Sequence, residues 1–321
     1  MKRRQLNLAT MLAALLALAP MAASAAWPDK PIRIIVAFPP GGGVDVLARL
    51  LGSKLSTLLG QPVLVDNKPG ADTQIGTALV AQAPADGYTI GVLTSTIAIN
   101  KALYPNLPYD AAKDFTPVAN IAISPYYLVS WPGLEAKTLK DLIALAKKKP
   151  GQLNYASSSA DGFLAGEMMN KAAGISTVHV RYKGTPPSLL AVMTGEVSYS
   201  YFTLLGIKSQ VEAKKLNVLG VSSAQRSRDM PNVPTLAEAG APGYDTTVWF
   251  AVFAPAGMPA EITTKLNAAF NQIIDMPDVK AKIESLGATP TRQSPQEFAS
   301  FVNAEIAKYA AVVKENKLRA D

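Results

Sequence analysis

The sequence has no cysteine and a single histidine, His179, in 321 residues. The first absence excludes disulfides, thiolate metal sites and a cysteine nucleophile, and it leaves the chain indifferent to the redox state of its compartment. The second leaves little room for a Ser-His-Asp arrangement, because His179 sits in the apolar stretch STVHVRY, where it reads as a core or sheet-lining residue rather than a base. There is no GxSxG elbow and no cluster with metal-ligand spacing, so neither an enzyme nor a metal protein is expected. Glu167 in LAGEMM sits on a helical pattern beside apolar residues, where a capping or interlobe role outweighs catalysis. Charged residues are sparse, 17% against 49% hydrophobic, the balance of a soluble globular chain long enough for one large or two ordinary domains. No basic stripe with interleaved aromatics occurs, which argues against a nucleic-acid partner. The lysine run at 147–149 ends a helical pattern, where cations suit the macrodipole.

What is present begins with a leader. Lys2, Arg3 and Arg4 precede an apolar run from Leu8 to Pro20, and AASAA before Trp27 offers an A-x-A-like cleavage site. About 13 apolar residues are too few to span a bilayer, which takes roughly 20, so residues 1–26 are expected to be a cleaved signal peptide and the rest an exported, soluble protein. Removing them lowers the formal charge from +7 to about +4.

From Ile32 onward strands and helices alternate. Ile32–Phe38 reads as a buried strand, Val44–Leu59 as an amphipathic helix ended by Gly60, Val63–Asn67 as a strand, Ile75–Ala83 as a helix and Tyr88–Leu93 as a strand. That order implies an α/β domain with a mostly parallel sheet. A second α/β unit starts near Ser124, with helices at Leu139–Lys149, Gly162–Ala173 and Pro187–Thr194. Its strands are at Leu153–Ala156, His179–Tyr182, Val197–Phe202 and Leu216–Val221. Helices at Pro259–Ile274, Pro277–Leu286 and Pro295–Glu315 close the chain and are expected to pack back on the first unit. Ligands of open sheets bind beyond the carboxyl ends of the strands, which two such lobes present to each other across a cleft.

Three strand-to-helix junctions are rich in glycine and small polar residues. FPPGGGVD at 38–45 carries Pro40, Gly41, Gly42, Gly43, Val44 and Asp45; NKPGADTQIG at 67–76 and NYASSSADG at 154–162 repeat the arrangement. Free N–H groups and the positive end of a helix dipole make such junctions anion sites, and glycine permits close approach of a ligand to the backbone. Each is equally readable as a tight, ligand-free turn with a capping residue. The first lacks both GK[ST] and GxGxxG, so no nucleotide cofactor is expected. Taken together, the three favour a shared small anionic ligand.

At these residues the chain resembles the substrate-binding proteins of tripartite tricarboxylate transporters, the Bug family. The stretches that carry the resemblance are WPDKPIRIIVAFPPGGGVD, NKPGADTQIG with PADGYTI, LPYDAAKDFTPV, NYASS with LAGE, HVRYKG, SSAQRSRDMPNVPTLAEAG and WFAVFAPAGMP. They cover Trp27 nearly to the C-terminus. The resemblance implies a two-lobed periplasmic binding protein with two interlobe crossovers, near Ile121–Tyr126 and Val248–Ala254. Residues 27–123 and 249–321 would form a discontinuous first lobe, and 124–248 the second. It implies a monomer that delivers an organic acid to the membrane components of a transporter. One ligand carboxylate would be held by the loops Pro40–Asp45 and Gly70–Gly76, partly through water, and the rest read by Ser157, Ser158, Phe202 and Thr203.

The departures from the family pattern fall in those loops. Val44 stands where a small or polar residue is usual, and GADTQIG, with Ala71, Asp72, Thr73 and Gln74, replaces GAGGNIG. The third loop is about two residues short. Phe163 replaces a usual His, TIAIN at Thr96–Asn100 replaces THAIN, and Thr203 replaces a common acid. These changes point to a ligand with one anchored carboxylate and a larger apolar or aromatic body rather than citrate. Asp72 opposes a second carboxylate, partners an ammonium or ring nitrogen, or only caps the next helix. A periplasmic sensor that presents its closed form to a membrane signalling protein is the alternative to transport.

Overall fold

In the computed structural model, residues 27–319 are described; the expected signal segment, residues 1–26, lies outside them. The first lobe starts with strand β1 (Ile32–Val36), helix α1 (Gly43–Leu59), β2 (Val63–Asn67), α2 (Gln74–Ala81), β3 (Thr89–Thr94) and α3 (Thr96–Leu103). β1 lies parallel between β2 and β3. Covered on both faces, it is apolar almost throughout, as IRIIV reads. α1 buries Val44, Leu47, Ala48, Leu51 and Leu55 at helical spacing, and Gly60, in the left-handed region at φ 69°, ends it. β4 (Phe115–Pro125) then runs toward the second lobe.

The second lobe holds β5 (Tyr127–Ser130), α4 (Leu139–Lys148), β6 (Asn154–Ser157), α5 (Ala160–Ala173), β7 (Val178–Arg181), α6 (Thr185–Met193), β8 (Tyr199–Phe202), α7 (Leu204–Glu212) and β9 (Asn217–Val221). Its five strands are ordered β7-β6-β8-β5-β9. The chain returns through β10 (Thr247–Pro255), α8 (Ala260–Asp275), α9 (Pro277–Ser285), β11 (Thr289–Pro290) and α10 (Pro295–Glu315). β10 inserts antiparallel between β3 and β4, giving the first sheet the order β11-β4-β10-β3-β1-β2. α8 and α10 pack on β4, so the C-terminal helices belong to the first lobe.

The second interlobe passage lies earlier than Val248–Ala254, which is β10 itself, a central strand whose run WFAVFAP is buried throughout. The chain crosses at Pro125–Tyr126 and again over 222–246. One buried serine joins the two passages: Tyr126 N–H donates to Ser222 Oγ (2.8 Å), which donates to the Thr246 carbonyl (2.6 Å). The Ser222 N–H donates to the Tyr126 carbonyl (2.8 Å), and the Thr246 N–H to the Ser222 carbonyl (3.0 Å). Close by on β10, Trp249 is fully buried and its indole N–H donates to Glu305 of α10 at 3.0 Å. Among the described residues, no helix is long and apolar enough to cross a membrane.

Candidate functional site

Four helices start at the cleft between the lobes. Gly42, Gly43 and Val44 at the head of α1 line a cavity with Ser159 and Asp161 of α5, Thr185 of α6, and Thr203 before α7. None of these four helix starts has a side-chain cap. α4 and α10, which do not line the cavity, carry complete capping boxes from Thr138 with Asp141 and Ser294 with Glu297. The lack of a cap is shared by α2, α3, α8 and α9, so what sets the cleft helices apart is that their first N–H groups lie at the cavity. Phe38, Tyr126, Tyr201, Phe202 and Phe250 supply aromatic walls. This inner cavity measures about 60 Å³, space for a few waters or one small polar group. Phe38, Pro39 and Ser158 also border an outer chamber of about 600 Å³, lined further by Ala71, Asp72, Thr73, Arg181 and Lys183.

The first glycine loop is built around Asp45, but not as expected. Its carboxylate accepts the Gly41 N–H (2.9 Å), the Asn67 amide (3.0 Å) and the Arg49 guanidinium (2.9 and 3.1 Å). Burial pulls its pKa up, yet these donors together hold it below the ordinary carboxylate range. Asp45 therefore lines neither cavity; it folds the loop back on α1 and β2, with Gly41 at φ 82° making the turn.

Two other acids span the cleft in opposite directions. Asp72, from the first lobe, accepts the Tyr104 hydroxyl at 3.0 Å and faces Arg181 of the second lobe at 4.0 Å. Arg181 also donates to the Tyr104 hydroxyl at 3.0 Å. Burial raises the Asp72 pKa, against the pull of Arg181, Tyr104 and the Ala160 N–H at the start of α5. That N-terminus therefore already has an anion, supplied by the protein. Asp161, from the second lobe, accepts the hydroxyls of Thr94 (3.2 Å), Ser95 and Thr96 in the first. Burial pushes it up to about 6 despite those three donors.

Of the residues expected at the site, Gly42, Gly43, Val44, Ser158, Phe202 and Thr203 line the inner cavity, and Ala71, Asp72, Thr73 and Ser158 the outer chamber. Pro40, Gly41, Asp45, Gln74, Thr96, Ser157 and Phe163 line neither. Pro40 faces solvent, Gln74 heads α2, and Thr96 is spent on Asp161. The Ser157 hydroxyl bonds His179 Nε2 at 2.6 Å, and the Phe163 ring packs 4.9 Å from the His179 ring. Asp161, Tyr201, Thr185 and Arg181 escape the sequence reading. Asp161 sits in the third loop, SSSADG, and was legible there as the first-turn acid of a cleft helix. Tyr201 carried no local signal, being one alternate position in the strand YSYF.

The family model described as "Tripartite tricarboxylate transporter family receptor" matches residues 47–318. BugT of Bordetella pertussis is 35% identical over 293 residues, 90% of this chain and 90% of that one. A solved R. palustris protein with adipate superposes with a TM-score of 0.88 at 36% identity, covering 91% of this chain and 99% of that one. MatC from Rhodopseudomonas palustris with bound malate gives a TM-score of 0.85 at 30% identity, covering 89% and 100%.

Proposed function

Because the chain belongs to the tripartite tricarboxylate transporter receptor family, we propose that it captures an organic carboxylate between its lobes in the periplasm and passes it to the membrane components of such a transporter. The observation that carries this is the set of uncapped helix starts converging from both lobes on one aromatic-walled cavity. A carboxylate placed there meets free N–H donors and the positive ends of helix dipoles. Ligand contacts drawn from both lobes stabilise the closed arrangement relative to the open one, which is what a two-state receptor requires.

The ligand we favour has one anchored carboxylate and an apolar or aromatic body. Asp72 occupies the α5 N-terminus, which removes one anion position, and the outer chamber offers Phe38, Pro39, Pro69 and Tyr182 to a ligand body. Thermal unfolding against mono-, di- and tricarboxylates tests the proposal, since a ligand bound only by the native state raises the midpoint with concentration. Stabilisation by aromatic or long-chain acids, and not by citrate, is the expected result. Stabilisation by citrate or short dicarboxylates alone would overturn the ligand assignment, and silence from the whole panel would overturn the receptor reading. N-terminal sequencing of the exported protein, expected to begin at Ala26 or Trp27, tests the location.

A further inference from the structure

The two lobes hold each other through contacts that no ligand supplies. The Tyr104 hydroxyl donates to the Asp72 carboxylate (3.0 Å) and accepts from the Arg181 guanidinium (3.0 Å), which stands 4.0 Å from that carboxylate. Asp72 and Tyr104 belong to the first lobe and Arg181 ends β7 in the second, so one hydroxyl joins an ion pair that spans the cleft. Charge-assisted hydrogen bonds are the stronger kind, and the Asp72 side chain is buried, which shields the tie from the screening that weakens surface pairs.

The backbone at Asp72 is shaped for this contact. Ala71, Asp72 and Thr73 all lie in the left-handed region, at φ 46°, 52° and 71°, and none is glycine. Such a run is unfavourable and persists only where its surroundings enforce it, as in clamps and switch segments. Asn100 holds it from the first lobe, donating its side-chain amide to the Asp72 carbonyl (2.8 Å), while Arg181 and the Ala160 N–H hold it from the second.

A second, independent tie lies elsewhere along the cleft. Lys208 of α7 donates to the carbonyl of Ser285 (2.5 Å), the last residue of α9 in the first lobe, so a cation meets the negative end of a helix dipole. Beside it Gly287 lets α7 approach: a Cβ there would lie 2.7 Å from Leu204 Cβ. β2, whose following loop carries Asp72, and β11, which follows Gly287, are the two edges of the first lobe's sheet. The ties therefore act at opposite ends of one interface.

We propose that these two ties are latches that close the lobes without a ligand, so that the ligand-free protein rests mainly in the closed arrangement. Tyr104 and Lys208 line neither the inner cavity nor the outer chamber, so they act on closure and not on ligand contact. The inference goes beyond the carboxylate-receptor reading, because it concerns the resting state and not the ligand. A receptor whose open, competent form is a minor fraction binds with an affinity reduced by that fraction. Opening, and not closing, is then the step that limits capture.

Small-angle scattering of the ligand-free protein tests this, on the parent and on the Tyr104→Phe, Lys208→Met double variant. Each is dialysed free of carried-over acid and checked for folding by circular dichroism. The parent is expected to scatter as the closed structure does, and the double variant to shift to a larger radius of gyration. Tyr88→Phe, which loses a hydroxyl contact to Asp29 inside the first lobe, is expected to keep the parent value. A ligand-free parent more extended than the closed structure would overturn the proposal, and so would a double variant as compact as its parent. If the double variant does not fold, the parent curve and the two single variants still decide the matter. None of these outcomes touches the carboxylate panel, whose silence alone would overturn the receptor reading.

Discussion

At the scale of single residues, the two cleft acids carry a pH signature. An acid with a folded pKa of about 6, against 3.8 for the unfolded chain, binds its proton more readily when folded. It therefore stabilises the fold as pH drops through the window between those values, and Asp72, also raised, acts in the same direction. From pH 7 to pH 5 the Asp161 contribution is about 1 kcal/mol, a rise of roughly 2–3 °C in the unfolding midpoint of a chain this size. Asp45, Asp110, Asp141 and Asp278, lowered from 3.8, act below that window, and Glu238 and Glu297, lowered from 4.5, oppose it only at its lower edge. Scanning calorimetry at the two pH values is expected to show the rise, and Asp161→Asn to flatten it. Asp45 has the opposite character. Asp45→Ala orphans the Gly41 N–H and unpairs Arg49, and it is expected to cost about 2 kcal/mol in urea unfolding while also weakening acid binding. The sequence made Asp45 visible as a loop residue but could not say which way its carboxylate turned. That depended on Asn67 and Arg49, 22 and 4 residues away, and only the parallel pairing of β1 with β2 brings Asn67 to the loop.

At the scale of elements, closure depends on glycines at which the two lobes meet. Gly43, the first residue of α1, has an ordinary helical backbone, but a Cβ there would lie 3.0 Å from Leu205 Cβ of α7. Gly43→Ala is thus compatible with the helix and incompatible only with the present closeness of the lobes. It is expected to change stability by well under 1 kcal/mol and to weaken acid binding several-fold, with titration and urea unfolding separating the two effects. Gly184 is a harsher site: at φ 107°, its Cβ would lie 2.5 Å from Pro39 Cγ, so Gly184→Ala is expected to lose stability as well as affinity. Most elements were legible because their periods are plain, as in the helical stripe of α1 and the apolar run of β1. β10 was not: its apolar run resembles that of β1, but it follows the long passage over 222–246 and inserts antiparallel between β3 and β4 instead of continuing the strand–helix alternation. α3 and α7 were missed because each is short and begins within two residues of the end of a strand, with no turn residue between.

At the scale of the whole molecule, the lobes are linked through Ser222. Ser222→Ala removes the acceptor of the Tyr126 N–H and the donor to the Thr246 carbonyl, both buried at the crossing. The expected cost is about 1–3 kcal/mol. Small-angle scattering of the ligand-free variant is expected to show a larger radius of gyration than the parent, because the two passages are no longer tied. The two-lobed plan could be read from the alternation of strands and helices and from the family resemblance. The serine that couples the passages could not, because its partners lie 96 and 24 residues away.

The placement of Trp249 has an optical consequence. The chain has three tryptophans, Trp27, Trp131 and Trp249, and none borders either cavity. A bound acid therefore has no indole to quench by contact. Trp249 sits two residues into β10, beside the crossing and tied to α10. A change in emission on titration is then expected to report movement at the crossing rather than contact with the acid, even for ligands that themselves absorb no light.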